Sequence, residues 1–181
     1  MRFSMTADKI KRVTVSPTDS YFFDTNVWMY IFAPLANAKK IKQSGYSAFL
    51  GEILSRKATI WINSLVVAEY VNAVLRLEFK QWMKQHQYHN ADFKHDFRPT
   101  AEYQSALESV KLQVADIMKI AKKRPDDFHK IDIDKILVSM GSILDYGDSI
   151  FVETCAQNNM TLVTDDSDIA ALDLPIKVIT V

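Results

Sequence analysis

Carboxylates stand directly after two apolar, strand-like runs of this sequence. Asp24 follows the run at 21–23, and the pair Asp165 and Asp166 follows the run at 162–164. Ligands of open parallel sheets bind outside the carboxyl ends of the strands, so acidic residues at these positions are candidates for chemistry. If the two runs are parallel strands of one sheet, we expect their carboxylates to meet at one edge. For Asp24 the alternative role is capping of the helix that follows.

Two further acids belong to helices that the sequence predicts beside the same edge. Glu69 interrupts the apolar run at 65–71, where an unpaired buried charge would be unfavourable. Its alternative role is a rim charge paired with Arg76. Asp148 begins another predicted helix, and for it and for Asp145 the alternative is N-capping.

A cluster of carboxylates is unstable alone, because like charges repel and raise one another's pKa, and a divalent cation removes that conflict. Carboxylate oxygens favour Mg²⁺ or Mn²⁺, and these segments lack the Cys and His spacing of zinc sites. One such ion can activate water and stabilise charge on a phosphodiester, and two can also stabilise the leaving oxygen. The acids therefore predict phosphodiester hydrolysis with one or two metal ions.

The whole chain has the size of one domain with its own core. It has 181 residues, a hydrophobic fraction of 48%, and 22 basic side chains against 22 acidic ones. Neutral net charge argues against binding of nucleic acid or membrane by bulk charge, although neutralisation of the site acids would leave an excess of basic side chains for an RNA substrate. The single cysteine, Cys155, excludes an internal disulfide framework and is expected in the core. We see no secretory signal or membrane span, and expect a cytoplasmic protein.

Short apolar runs alternate with helical periods, which is typical of an α/β fold with a parallel sheet. Strands are expected at 13–15, 21–23, 59–62, 161–164 and 176–181. Helices are expected from Lys39 to Leu54, from Ser64 to Val74, within 79–123, from 134 to 144 and, after a break at Gly147, from 148 to 158. The sequence 59–74 reads as a strand, a polar cap and a helix, one βα unit.

Four short motifs follow one another along the chain: Phe23-Asp24-Thr25-Asn26-Val27, Ser64 followed by Glu69, Gly147-Asp148-Ser149-Ile150, and the run 162–168. Together they resemble the PIN-domain family of metal-dependent ribonucleases. The resemblance covers about 20–75 and 134–181, and it implies a three-layer α/β sandwich with a central, mostly parallel sheet. Residues 1–181 would form a single PIN-like domain with an α-helical insertion at about 76–133.

The same resemblance implies a set of site residues and a cofactor. The cofactor would be Mg²⁺ (or Mn²⁺), with Asp24 and Asp148 as its main ligands. The family usually has Asn before its fourth acid, whereas this chain has Asp165, so the choice between Asp165 and Asp166 stays open. The catalytic and metal-binding quartet would be Asp24, Glu69, Asp148 and Asp166, with supporting roles for Asn26, Thr164, Asp145 and Asp165.

The insertion carries all four histidines, interleaved with aromatic and basic side chains. Such a mixture could stack RNA bases and contact phosphates. The alternative is a helical clip whose aromatic side chains pack on the core or on a dimer partner. His86 and His89 have the spacing to share a metal ion, but no third ligand accompanies them.

The resemblance implies a Mg²⁺/Mn²⁺-dependent endoribonuclease that hydrolyses RNA phosphodiester bonds. Similarity to VapC-type toxins further implies the toxin of a type II toxin–antitoxin pair, a homodimer inhibited by a small antitoxin protein. Alternatives are a catalytically silent binding or scaffold module of the same fold and a housekeeping RNA-processing nuclease. A haloacid-dehalogenase-like phosphatase is disfavoured, because Asn26 occupies the place of that family's second Asp.

Overall fold

The computed structural model describes residues 8–33, 40–140 and 144–181. Its strands form one six-stranded sheet in the order β1-β6-β5-β2-β3-β4, and every pair is parallel. The strands are β1 (Asp8–Lys9), β2 (Ser20–Phe23), β3 (Thr59–Ile62), β4 (Lys122–Lys123), β5 (Thr161–Val163) and β6 (Val178–Thr180). The helices are α1 (Thr25–Phe32), α2 (Lys40–Ser55), α3 (Ser64–Gln85), α4 (Ala101–Ile120), α5 (Ile133–Ser139), α6 (Tyr146–Gln157) and α7 (Ser167–Ala171).

Helices cover both faces of the sheet, as the alternation of side chains along β2 shows. Tyr21 and Phe23 point to one face, where their rings lie 5.5 and 6.5 Å from that of Phe49 in α2. Phe22 points to the other face, with its ring 5.4 Å from that of Phe151 in α6. A strand buried on both sides reads as a continuous apolar run, which is why 21–23 has no polar alternation. The three-layer α/β class is confirmed, and the sheet is all-parallel in the described residues.

Residues 76–133 contain the C-terminal part of α3 and all of α4, which form an antiparallel hairpin. The short strand β4 follows α4. A π-helical turn, Phe93–Phe97, connects the two helices, and the buried ring of Phe97 lies 5.3 Å from that of Trp82 and 5.5 Å from that of Tyr103. These aromatic side chains are part of the main hydrophobic core, as in the alternative of a helical clip that packs on the core. The segment is not purely helical, because β4 joins the sheet beside β3.

Several predicted boundaries are wrong. Val13–Val15 is no strand; Val15 is buried in the core but pairs with no other strand. Gly147 does not break a helix, because α6 begins at Tyr146 and contains it. The short helix predicted to reach Leu144 ends at Ser139, and 141–143 lie outside the described residues. Among the helices that the structure describes, none is long and apolar enough to cross a membrane.

Candidate active site

Asp24 and Thr164 are the first residues beyond the neighbouring strands β2 and β5. The ladder pairs Phe23 with Val163, and the Asp24 N–H continues it by donating to the Val163 carbonyl at 2.9 Å. The Thr164 hydroxyl donates to Asp24 Oδ2 at 2.7 Å, and both side chains are buried. Asp24 stands at the N-cap position of α1, where the backbone N–H groups of Thr25 and Asn26 lower its pKa, but its side chain makes no capping hydrogen bond of regular geometry. The side-chain partner of its carboxylate is instead Thr164.

The start of α3 fixes the position of Glu69. The Asn63 side chain caps the helix by accepting a hydrogen bond from the Val66 N–H at 3.1 Å. Ser64, the motif residue, donates from its hydroxyl to Asp126 at 2.6 Å. A helix that begins at this point carries Glu69 in its second turn, directly beyond the end of β3.

Glu69 bonds to the residue next to Asp24. The Thr25 hydroxyl donates to Glu69 Oε2 at 2.8 Å, which connects α1 to α3 within the site. The alternative partner, Arg76, instead lies over the ring of Phe93, 4.6 Å from its centroid. The sequence did not single out Thr25, although it stands beside Asp24 in the first motif.

Asp145 and Asp148 lie at the N-terminus of α6. Asp145 is the N-cap: its Oδ1 accepts a hydrogen bond from the Asp148 N–H at 2.9 Å. The Asp148 side chain, in the first turn of α6, does not cap the helix. A Cβ atom on Gly147 would lie 2.9 Å from Glu69 Oε1 and 3.4 Å from Asp145 Oδ1. Gly147 therefore permits the close approach of α6 to Glu69, a role that its sequence position did not reveal.

The two adjacent acids after β5 have different environments. Asp165 forms an ion pair with Lys42 at 2.6 Å and accepts hydrogen bonds from the hydroxyls of Tyr30, at 3.0 Å, and Tyr46, at 3.1 Å. It anchors α1 and α2 to the end of β5.

Asp166 is held differently. Its backbone N–H donates to the Thr164 hydroxyl at 3.0 Å, and its Oδ1 caps α7 by accepting from the Asp168 N–H at 2.7 Å. Its charge also raises the pKa of Asp24 and of Asp148. Of the two candidates, Asp166 is thus the one that acts electrostatically on the other site acids.

The carboxylates share one electrostatic environment. Burial raises the pKa of Asp24, while the Thr164 hydroxyl and nearby backbone N–H groups lower it. Burial likewise raises the pKa of Glu69, and the charges of Asp24 and Asp145 raise it further. Burial and then the charges of Asp145, Asp24 and Asp166 raise the pKa of Asp148 to about 6. Each group therefore senses the charge of acids from other segments of the chain.

The donor set matches a hard divalent cation in type and charge. Within the described residues, no Lys, Arg or His forms an ion pair with Asp24, Glu69, Asp145, Asp148 or Asp166. Carboxylates without a cationic partner are what Mg²⁺ or Mn²⁺ would neutralise. No group of three His, Cys, Asp or Glu side chains in the described ranges is arranged as a ready-made metal cage. The fit thus rests on donor type and uncompensated charge.

A cleft of about 430 Å³ opens beside Asp165 and Asp166, although Asp24, Glu69 and Asp148 do not line it. Asn26, which is exposed at the start of α1, lines it together with Tyr30 and the segment 165–168. Of the eight predicted site residues, the structure thus brings Asp24, Glu69, Asp148, Asp166, Thr164 and Asp145 together, places Asn26 at the rim and turns Asp165 toward Lys42.

Comparison with known proteins agrees with this fold. A model of the PIN domain matches residues 21–174. The crystal structure of VapBC2 from Rickettsia felis bound to a DNA fragment from their promoter superposes with a TM-score of 0.53 at 17% sequence identity, covering 90% of this chain and 98% of that chain. That similarity concerns the fold alone. No curated protein matches the sequence significantly. The family model spans most of the chain, and the chain belongs to the PIN domain family.

Proposed function

We propose that this protein is a Mg²⁺- or Mn²⁺-dependent endoribonuclease that hydrolyses RNA phosphodiester bonds. The observation that carries the proposal is the convergence of acids from four chain segments at the carboxyl edge of the sheet, without a cationic partner in the described residues. Membership of a family whose members are generally nucleases supports it. The catalytic carboxylates would be Asp24, Glu69, Asp148 and Asp166.

The four carboxylates would hold the cation, and two hydroxyl groups would position the carboxylates. Asp24 and Asp148 would be the main ligands of the cation, and Glu69 and Asp166 would complete the set. A bound divalent cation supplies the positive charge that favours attack of water on a phosphodiester. The Thr164 hydroxyl would fix the Asp24 carboxylate, and the Thr25 hydroxyl would fix that of Glu69.

The proposed biological role is that of the toxin in a type II toxin–antitoxin pair in the cytoplasm. The fold that this chain shares with a solved VapBC2 complex supports this role. A small antitoxin protein would cover the acidic site, and the toxin would be a homodimer. Mass measurement of the protein alone and with the product of an adjacent small gene tests both expectations.

RNA cleavage with purified variants tests the activity. In Mg²⁺ or Mn²⁺ the wild type should cut RNA, and Asp24→Asn and Asp148→Asn should each lose about 100-fold or more in rate, because each substitution removes an anionic ligand. Asp116→Asn is the matched control, since Asp116 pairs with Lys119 on the surface of α4. Cleavage that survives full chelation, or equal rates in all four proteins, would refute the proposal.

Expression in a bacterial host distinguishes a toxin from an RNA-processing nuclease. Growth arrest by the wild type but not by Asp24→Asn supports a toxin. Cleavage in vitro without growth arrest would assign the protein to RNA processing. A folded protein that binds RNA but never cuts it would be a scaffold module.

A further inference from the structure

A second cavity opens at the same edge of the sheet, between α3, α4 and the ends of β3 and β4. Its volume is about 540 Å³, within the range of small-molecule sites. Val67 and Val71 of α3 and Met118 of α4 form an apolar wall, and Asn63, Lys123 and Arg124 contribute polar groups. Nothing in the proposed reaction uses this cavity.

The strand register places this cavity beside the carboxylates. Phe22 pairs with Trp61, and Ile62 pairs with Lys123. Asp24, Asn63 and Arg124 are therefore the first residues beyond the three adjacent strands β2, β3 and β4. Neighbouring strands lie about 4.8 Å apart, so Asn63 stands one strand away from Asp24 along the edge. A nucleic-acid strand bound at the acids can extend to this cavity.

One buried donor of a residue in the cavity lining has no acceptor. Asn63 is 3% exposed; its Oδ1 caps α3, but its Nδ2 has no hydrogen-bond partner among the described residues. Nε of Arg124 also lacks a partner there, but the Arg124 guanidinium lies over the ring of Trp61 and pairs with Asp127, and neither of those residues lines the cavity. Buried N–H groups without acceptors are uncommon, because they lose hydration without replacement. The Asn63 donor therefore indicates a ligand that brings an acceptor atom.

The chemistry of the lining selects the ligand. An apolar wall suits a flat ring face, and the amide N–H of Asn63 suits a ring nitrogen or carbonyl oxygen at the ring edge. A nucleobase has both, and the ammonium group of Lys123 suits the phosphate attached to it. We propose that this cavity binds a nucleobase of the RNA strand next to the bond that is cut, with Asn63 Nδ2 donating to the base edge. The proposal rests on the proposed function, since it assumes an RNA substrate.

Nuclear magnetic resonance tests binding without any cleavage. The metal-free protein, labelled with ¹⁵N, is titrated separately with AMP, GMP, CMP and UMP, and with ribose 5-phosphate. At least one nucleotide should shift the side-chain amide signal of Asn63 and the backbone signals of Val67 and Val71, and ribose 5-phosphate should not. Equal shifts with ribose 5-phosphate, or no shift with any nucleotide, would overturn the base site.

Matched variants locate the effect. Val71→Trp fills this cavity and should abolish the shifts, whereas Ser105→Trp, which fills the other groove between α3 and α4, should preserve them. Asn63→Asp keeps the capping oxygen but loses the donor, and should weaken binding about tenfold. Circular dichroism confirms folding of each variant. Binding of indole but of no nucleotide would assign the cavity to an aromatic side chain of a partner protein and overturn the proposal.

The base site also predicts an effect on the kinetics of cleavage, which is measured apart from nucleotide binding. In an active enzyme, Val71→Trp should raise KM and change base preference while kcat stays nearly unchanged. An enzyme that cuts RNA but shows no such effect would refute only the base site. Nucleotide binding at this cavity in a protein without nuclease activity would leave the base site standing and refute only the catalytic role.

Discussion

At the scale of single residues, Asp148 shows what the clustering of acids does to the fold. Its pKa is raised to about 6 by burial and by the charges of Asp145, Asp24 and Asp166. The folded state then binds the proton more tightly than the unfolded state, in which an Asp titrates near 3.9. Without metal, the contribution of this group to the free energy of unfolding therefore rises as pH falls from 7 through 6 toward 4.

We predict that Asp148→Asn stabilises the metal-free protein at pH 7. The substitution removes the charge that the fold opposes, and about 1 kcal/mol is expected after allowance for solvent screening of a half-buried group. The gain should disappear near pH 4, where the wild-type carboxyl is already protonated in the folded state. Urea unfolding with chelator at both pH values measures it, with Asp116→Asn as control. A loss of stability at pH 7 would contradict the electrostatic account.

At the scale of elements, the two adjacent acids in the loop between β5 and α7 have different roles. Asp165 connects α1 and α2 to the sheet through Tyr30, Lys42 and Tyr46, whereas Asp166 acts electrostatically on Asp24. Tyr46 also donates to the Thr164 carbonyl at 3.0 Å, so the same anchor holds the residue that bonds to Asp24.

The two acids of this loop should therefore respond differently to the same substitution. Asp165→Asn removes the ion pair with Lys42 and should lower the free energy of unfolding by about 1 kcal/mol, with metal affinity and cleavage largely kept. Asp166→Asn keeps an amide oxygen to cap α7 and should remain stable while losing cleavage. Unfolding curves and cleavage rates of the two variants test this difference. Loss of cleavage in Asp165→Asn but not in Asp166→Asn would make Asp165 the fourth acid.

The Glu69 carboxylate of α3 lies against Gly147 of α6. An alanine at this position places a Cβ 2.9 Å from Glu69 Oε1, so the carboxylate must shift. We expect Gly147→Ala to reduce cleavage severalfold without loss of stability, because alanine favours a helix by about 1 kcal/mol over glycine. Gly51→Ala in α2 is the matched control, since nothing lies within 4 Å of its Cβ. Equal cleavage by both variants would show that Gly147 is not needed by the site.

Sequence alone predicted the elements whose signals are local. The apolar run of β2, the Asn63 cap of α3 and the acids that follow strands are all visible in the order of residues. It could not find β4, because two lysines carry no strand signal and pair only through β3. It wrongly predicted that Gly147 breaks a helix. The neighbour that favours glycine at this position is the Glu69 carboxylate, which is far away in the sequence.

At the scale of the whole molecule, zero net charge hides an uneven distribution. Many acids outside the site have basic partners in the described residues: Asp127 pairs with Arg124 and Lys130, and Glu108 with Lys111. The quartet has none there. Four carboxylates without a cationic partner in the described residues therefore lie at one edge of the sheet, and a cation bound there would remove most of the repulsion between them.

Divalent cations should therefore stabilise the whole fold through this one edge. A ligand that binds only the folded state at 100 times its Kd adds about 2.7 kcal/mol to the free energy of unfolding. We expect Mg²⁺ or Mn²⁺ to raise Tm by several degrees, at an ionic strength matched with Na⁺ so that screening alone is excluded. Asp24→Asn should lose this gain, because it removes the most buried carboxylate, and Asp116→Asn should keep it. A metal-induced rise that is equal in wild type and Asp24→Asn would mean that the ions bind elsewhere, whatever the cleavage assay shows.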